Sequence, residues 1–327
     1  LAPGNLYEVT LNDGRKYKAT LTGSDQSTDV AVLKIDKSDC PYLTLANSDS
    51  VQVGQWVIAI GNPYQLNSTV TSGIVSAKGR TIDLLKGEYP LEYFIQTDAI
   101  FNEGNSGGAL LNDDGELIGI NTAIFTRSGK FEGYSFAIPS NIVRKMVRDI
   151  ISYGKVQRAV LGVGIQDISD RLSKRIGEEV GSGVYINRVN PQSPAAEAGL
   201  QQGDIIVSIN GTAVNTYPAL QEQVALYQPG DMVNIRYKRN GKVHNAEIEL
   251  MPLNTEPHKT VVRNDAPLQG IGLEVRYDEG HPESGIIVQN VIPAGSAARA
   301  GIKPGFLISE INGVKVTGID QFIQQLS

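Results

Sequence analysis

The C-terminal half of the chain contains one segment twice. Ser182-Gly183-Val184-Tyr185-Ile186 returns as Ser284-Gly285-Ile286-Ile287-Val288, and Ile209-Asn210-Gly211 returns as Ile311-Asn312-Gly313. Between them, Pro194-Ala195-Ala196-Glu197-Ala198-Gly199-Leu200-Gln201-Gln202-Gly203-Asp204 returns as Ser296-Ala297-Ala298-Arg299-Ala300-Gly301-Ile302-Lys303-Pro304-Gly305-Phe306, always 102 residues on. A constant offset of that length marks a duplicated, domain-sized module. Solenoid units stack at about 20–50 residues, so a solenoid does not fit.

Each copy reads as a small sheet with two helices. In the first, Ser193-Pro194-Ala195-Ala196 opens a short helix closed by Gly199, Ile205–Ile209 is a strand, and Asn210-Gly211 is a hairpin turn. Pro218–Tyr227 predicts a second helix with Leu220, Val224 and Tyr227 on one side. Arg158-Ala159-Val160-Leu161-Gly162-Val163-Gly164 precedes this copy, and Gly270-Ile271-Gly272-Leu273 precedes the other. A glycine-rich turn entering a strand can aim successive N–H groups at a carboxylate. It equally suits a plain turn that needs positive φ.

The N-terminal half carries Gly104-Asn105-Ser106-Gly107-Gly108. A serine between glycines lets a scissile carbonyl approach closely, and the N–H groups of Gly104 and Ser106 can converge on its oxygen. A bare five-residue match also describes a glycine-rich turn, or the nucleophile elbow of an α/β-hydrolase esterase. An elbow needs a strand before the serine and a helix after it. Here two short apolar runs, Ala109–Leu111 and Glu116–Ile120, surround Asn112-Asp113-Asp114-Gly115, which predicts a β-hairpin. Ser106 is then a loop residue of an all-β domain, the setting of the chymotrypsin type of hydrolase with chain order His, Asp, Ser.

Asp29, directly before the apolar run Val30–Ile35, is the candidate orienting acid, balanced on local grounds against a solvated strand-end carboxylate. Asp13-Gly14 reads as a turn between two strands. The only histidines are His244, His258 and His281, all far beyond Ser106. His244 lies in an alternating strand and the other two in loops, so none completes a triad in the expected order.

One helix breaks the β pattern. Pro139-Ser140 offers an N-cap, Ile142, Val143, Met146, Val147, Ile150 and Ile151 form an apolar stripe, and Arg144, Lys145, Arg148 and Asp149 stand opposite. Gly154 ends it. With 327 residues there is room for two or three domains, and a net charge of −6 argues against a nucleic-acid groove or an anionic membrane surface as partner. No apolar run approaches a membrane span, and Leu1–Asn5 does not read as a signal peptide. Cys40, the single cysteine, allows no intrachain disulfide and no cysteine-based metal site.

Taken in order, these segments resemble the HtrA/Deg family of periplasmic serine proteases: a chymotrypsin-like domain followed by two PDZ domains. The resemblance rests on Thr28–Ile35, Ala59-Ile60-Gly61-Asn62-Pro63, Val70–Ser76, Ile95–Ala99, Gly104–Leu110, Gly119–Ala123, Phe136–Asn141 and both repeat units. It implies an all-β-dominated fold: a partial double β-barrel over 1–142, a helix and linker over 143–157, PDZ domains over 158–253 and 267–327, and a linker between them. It makes Ser106 the nucleophile, Asp29 the acid and the Gly104 and Ser106 N–H groups the oxyanion hole. Phe101 takes the position lining the substrate pocket, Phe125–Gly133 the loop shaping that pocket, and Arg80–Tyr93 the sensor loop. Val160, Leu161, Gly162 and Val163, with Gly270, Ile271, Gly272 and Leu273, take the carboxylate-binding loops. By family spacing the histidine falls at or upstream of Leu1, and the second PDZ unit stops inside its last helix.

The expected activity is an ATP-independent serine endopeptidase of the periplasm acting on misfolded proteins, with PDZ domains that bind hydrophobic C-termini. The alternative is a catalytically silent, chaperone-like scaffold. Expected partners are unfolded proteins and peptides and further copies of the chain, as a trimer or multiples of trimers. No cofactor, metal, nucleic acid or integral membrane segment is expected.

Overall fold

The computed structural model describes residues 6–62, 69–85, 90–102, 104–124, 133–253, 260–263, 271–278, 286–292, 295–303, 305–311, 313–316 and 319–326. The chain divides into two compact units, Leu1–Leu253 and Asn254–Ser327.

The first unit opens with an antiparallel sheet of β1 (Tyr7–Thr10), β2 (Lys16–Asp25) and β3 (Val30–Ile35) in that order. Gly14, at φ +80°, makes the expected turn between β1 and β2, its N–H donating to Leu11 O at 2.9 Å. The run Val30–Ile35 is a strand, but only Val30 is buried; the rest is half-buried or exposed. β3 pairs with β2 alone and is covered on one face, so its apolar run does not make it a core strand.

Next comes a closed barrel of β4 (Trp56–Gly61), β5 (Thr69–Arg80), β6 (Phe94–Thr97), β7 (Ala109–Leu111), β8 (Leu117–Ile124) and β9 (Ser135–Pro139), in the order β4-β5-β6-β9-β8-β7. Its core holds Val57, Ala59, Val75, Ile95, Leu110, Ile118 and Ala137. β7 and β8 are the predicted hairpin, tied at the turn by Gly115 N to Asn112 O at 3.1 Å and Glu116 N to Asn112 Oδ1 at 2.8 Å. The segment after Ser106 therefore enters a barrel, which removes the esterase elbow.

α1 (Ser140–Tyr153) follows, closed by Gly154 in the left-handed region at φ 73°. Its start differs from expectation: Pro139 occupies the cap position without a side-chain bond, and the Ser140 hydroxyl donates to Ala46 O at 2.8 Å instead. The polar face differs too. Ile151 is 65 % exposed, whereas Lys145 and Asp149, placed by the pattern on the solvent side, have side chains only 4 % and 0 % exposed. Their Nζ–Oδ2 separation is 2.5 Å, and the ammonium also donates to Gln157 O. Asp149 further accepts from Gln157 N at 2.9 Å and Gln228 Nε2 at 3.1 Å. A second domain packs on this face, and a single-helix periodicity carries no trace of it.

That domain contains β10 (Ala159–Val160), β11 (Val163–Asp167), α2 (Asp170–Ile176), β12 (Val184–Val189), α3 (Pro194–Glu197), β13 (Ile205–Ile209), β14 (Thr212–Ala213), α4 (Tyr217–Ala225), β15 (Met232–Arg239), β16 (Lys242–Glu249) and β17 (Met251–Pro252). The main sheet runs β11-β12-β13-β15-β16, with β14 on β13, and β10 pairs with β17. Ser193 caps α3 as expected, its Oγ accepting from Ala196 N at 3.2 Å. α4 ends two residues before Tyr227, whose hydroxyl accepts from Asn210 Nδ2 at 2.8 Å.

α4 lies between the two domains of this unit. Leu220 belongs to the PDZ core, while Ala225 and Leu226 pack against the cluster of Phe94, Phe136 and Met146. Glu222 is 3 % exposed and faces Lys78 and Asp49. The Lys78 ammonium is committed to three carbonyls, Ser48 O, Asp49 O and Val51 O, at 2.8–3.0 Å. Burial, helped by the Asp49 carboxylate, pushes the Glu222 carboxyl up to about 8; Lys78 pulls weakly the other way.

The second unit has a sheet of β18 (Thr260–Arg263), β19 (Leu273–Asp278), β20 (Ile286–Val291) and β21 (Leu307–Ile308), and a ribbon of β22 (Glu310–Ile311) and β23 (Val314–Lys315). Helices α5 (Ser296–Arg299) and α6 (Ile319–Leu326) complete it, around Leu273, Val275, Ile286, Val288 and Phe322. Its β19–β20 pairing, α5 and β21 repeat β11–β12, α3 and β13 of the first copy. Among the described residues no helix is long and apolar enough to cross a membrane.

Two predictions arise at the junction of α1, α4 and the barrel. Asp149→Ala leaves the Lys145 ammonium buried without its partner and should destabilise the first unit by about 3–5 kcal/mol, read as a fall in the denaturant midpoint. Glu222, with its folded-state pKa raised, binds more protons folded than unfolded. Its contribution is present in acid and is lost as pH rises from the ordinary carboxyl range to about 8. Glu222→Gln should remove that downward slope, at most about 1.4 kcal/mol per pH unit, in denaturation series between pH 5 and 9.

Candidate active site and peptide groove

The loop from Gly104 to Gly108 crosses the mouth of the barrel between β4 and β8. Gly104 and Gly107 have φ of 99° and 85°, so the two glycines bend the chain sharply around the serine. Gly107 N donates to Asn121 O at 2.8 Å, and Asn121 N returns a bond to Gly108 O at 2.9 Å. Asn105 is buried and Ser106 exposed, so the turn presents the hydroxyl outward. Among the described residues nothing accepts the N–H of Gly104 or of Ser106, leaving both donors for an incoming oxygen.

Asp29 sits just before β3 with φ 57°, an uncommon backbone for a residue other than glycine. Its Oδ2 accepts from Thr122 Oγ1 at 2.6 Å, and the carbonyl of the same Thr122 accepts from Ser106 Oγ at 2.8 Å. β8 thus brings together the serine and the acid proposed from sequence, 77 positions apart in the chain. Thr122 was not singled out by sequence reasoning; an isolated threonine in an apolar strand carries no signal until the pairing of β8 is known.

Phe101 is 3 % exposed, its ring part of the barrel core, and its N–H donates to Ser135 Oγ at 3.3 Å. His244 lies on β16, its ring stacked on Tyr237 at 5.4 Å between centroids, in the surface-strand role expected of it. His258, His281, Gly270 and residues 125–132 of the pocket loop lie outside the described residues.

The second site is a cleft of about 420 Å³ between β11 and α4. Leu161, Val163, Leu220 and Val224 form its apolar sides, and Leu91 and Met146 of the barrel domain close one flank. At its end Leu161 O accepts from Ala195 N at 3.0 Å and Gly162 O from Asn190 N at 2.9 Å, while nothing among the described residues accepts the N–H of Leu161 or Gly162. Gly162 has φ 74°, and a Cβ there would lie 2.3 Å from Ser193 Cβ, so the turn admits only glycine. In the second unit Gly272, φ 76°, repeats the arrangement, its carbonyl accepting from Ile292 N at 2.9 Å. Arg158 lines the cleft beside this loop, and its guanidinium pairs with Asp25 at 2.7 Å, which also accepts from Thr28 Oγ1 at 2.6 Å.

Comparison with known proteins agrees with this fold and domain order. Residues 2–120 match the trypsin-like peptidase domain, and residues 159–250 and 260–326 each match the PDZ domain. A probable periplasmic serine endoprotease, DegP-like, of Marinomonas sp. (strain MWYL1) is 40% identical over 97% of this chain and 68% of its own length. The periplasmic pH-dependent serine endoprotease DegQ of Escherichia coli (strain K12) is 39% identical over 98% of this chain and 69% of its own. The chain spans about two thirds of the length of these relatives. Among solved structures, the HtrA-type protease AlgW with tripeptide aligns at a TM-score of 0.61 and 41% identity, over 77% of this chain and 83% of that one. In fold, in domain order and in sequence, the chain belongs to the HtrA family of DegP-like serine endoproteases.

Proposed function

We propose that the chain belongs to an ATP-independent serine endopeptidase of the periplasm that degrades misfolded or unfolded proteins. The observation that carries this reading is Thr122, which holds Asp29 through its hydroxyl and Ser106 through its carbonyl. In the proposed chemistry Ser106 Oγ attacks the scissile carbonyl as its proton passes to a histidine supplied from outside these residues. Asp29 would orient that histidine and stabilise its cation. The Gly104 and Ser106 N–H groups would receive the developing oxyanion; the histidine would give its proton to the leaving amine as the C–N bond breaks, and water would then release the acyl group from Ser106. Phe101 would form part of the side-chain pocket beside Ser106, which requires its ring to move out of the core. The protease domain is assigned to 1–142 and the PDZ domains to 158–253 and 267–327. The periplasmic setting and the endoprotease activity follow the names of the relatives. Assembly into trimers or their multiples is part of the same proposal.

The cleft between β11 and α4 is proposed to take peptide C-termini. The carboxylate would accept the Leu161 and Gly162 N–H groups, the last side chain would enter the apolar cleft, and the peptide would extend the sheet at β11. The AlgW structures, with a tripeptide and with a decapeptide, support a peptide here. The same turn in the second unit, at Ile271, Gly272 and Leu273, is proposed as a second carboxylate loop.

Two measurements test the reading. In a chain that carries the histidine, Ser106→Ala should lower casein cleavage by several orders of magnitude while peptide binding persists. Retained cleavage would make Ser106 structural and leave the scaffold reading. Separately, peptides ending in Val, Leu or Phe should bind at about micromolar strength, and their C-terminal amides much more weakly. Equal binding of acid and amide in calorimetry would reduce the Leu161-Gly162 loop to an ordinary turn.

A further inference from the structure

The nucleophile loop rests on the end of β4 more closely than any side chain there would allow. A Cβ on Gly61 would lie 2.3 Å from Asn105 Oδ1, 2.6 Å from Asn105 Cγ and 2.7 Å from Asn105 Cα. A Cβ on Gly108 would lie 2.1 Å from Ile60 O. Neither glycine has positive φ, so backbone conformation does not require them; the close approach of the two chain segments does. Beside this contact Asn62 N donates to Gly104 O at 3.4 Å, and Asn121 Nδ2 reaches Ile60 O and Ala109 O, both at 3.3 Å. Asn105 is 2 % exposed, and its Oδ1 has no donor among the described residues. A buried amide oxygen kept without a donor costs stability. Asn105 Nδ2 donates to Ile100 O at 3.5 Å, so the amide is held by one long bond and by contact with the bare face of Gly61.

We infer that Gly61 and Asn105 form a stop that sets the height and tilt of the Gly104–Ser106 peptide groups, and with them the oxyanion-hole donors. They are positioning residues for the reaction. The loop is bonded to β8 on one side, through Asn121 and Thr122, and on the other it is located by contact with Gly61 and by the Asn62–Gly104 bond. The β8 bonds fix Gly107, Gly108 and the serine hydroxyl. They leave the Gly104 peptide to the β4 side, which is where an oxyanion donor has to be aimed. A displacement of about 1 Å at such a donor costs on the order of 10²-fold in rate.

This inference rests on the catalytic reading of Ser106, so the experiment begins with the histidine-bearing parent and its Ser106→Ala variant. If both are equally inactive or equally active, the catalytic reading itself fails. With that control in place, Gly61→Ala should lower kcat by about 10²-fold while KM for a short peptide stays within about twofold. The Ki of a peptide aldehyde should rise in step with the kcat loss, because its hemiacetal oxygen occupies the oxyanion position. Removing the obstructing side-chain atoms in Gly61→Ala/Asn105→Ala should recover about tenfold of kcat, since one backbone contact remains. Should Gly61→Ala not fold, Asn105→Ala decides: it vacates the stop and should lower kcat about tenfold at unchanged KM and melting temperature. The inference is overturned if Gly61→Ala keeps kcat within about twofold of the parent. It is overturned equally if kcat falls with no change in aldehyde Ki, or if Asn105→Ala has parental kcat.

Discussion

Closure of the barrel between β4 and β7 is the constraint from which the active-site geometry follows. It brings the end of β4 against the turn that leads into β7, so Ile60-Gly61-Asn62 and Gly104–Gly108 must share a space too narrow for a Cβ at Gly61 or Gly108. β8 enters beside them and supplies Asn121 and Thr122. Packed barrels have little slack, and such closure holds the aim of the serine with no intrachain disulfide, Cys40 being the single cysteine. Asp29 reaches the same place from the neighbouring sheet through Thr122, so one hydroxyl and one carbonyl on a single strand residue connect the two elements.

The junction between the barrel and the first PDZ domain follows a different physics. Its apolar contacts are modest, Ala225 and Leu226 against Phe94, Phe136 and Met146, and buried polar groups accompany them. Lys145 and Asp149 are satisfied by each other and by Gln157 and Gln228. Glu222 has Gln223 as a local partner and faces Lys78, whose ammonium is committed to backbone carbonyls. Buried ion pairs add little net stability but penalise misplacement strongly. The junction therefore fixes how α4 is held more firmly than its apolar area alone would. Because α4 is also one wall of the peptide cleft, groups that hold the domains together stand one helix width from the proposed ligand.

The sequence was most informative where structure is local. The Asp13-Gly14 and Asn112–Gly115 turns, the Ser193 cap, the Gly154 stop and the duplicated module all depend on residues within a few positions of each other, or on plain self-similarity. Ser106 was proposed from its glycine neighbours and Asp29 from its place before an apolar run, a local signal that a solvated strand-end carboxylate shares; what the structure adds is that both bond to Thr122. What escaped reading depends on partners distant in the chain. Lys145 and Asp149 have the periodicity of a solvated face and are buried because a domain encoded after them packs there. Val30–Ile35 has the composition of a core strand and is half-exposed because only one side of it is covered. Arg158 sits beside the carboxylate loop in sequence, yet its guanidinium turns to Asp25. Thr122 lies in the Gly119–Ala123 segment that carries the family resemblance, but nothing in that segment marked it as the residue that bonds to both Ser106 and Asp29.

The two proposed sites of the first unit share one mode of construction. In each, glycines admit a close approach that would exclude any side chain: Gly61 and Gly108 around the serine, Gly162 against Ser193. In each, a pair of backbone N–H groups has no acceptor among the described residues, Gly104 and Ser106 in one and Leu161 and Gly162 in the other. In the proposed reading both pairs would meet an oxygen-bearing carbon of a peptide, the scissile carbonyl in the first case and the terminal carboxylate in the second. Backbone donors held by a rigid scaffold need no reorganisation when negative charge arrives, which gives them an advantage over mobile cationic side chains. The Arg158–Asp25 pair is consistent with that economy, because the guanidinium binds the two domains together and the loop N–H groups remain to meet the carboxylate.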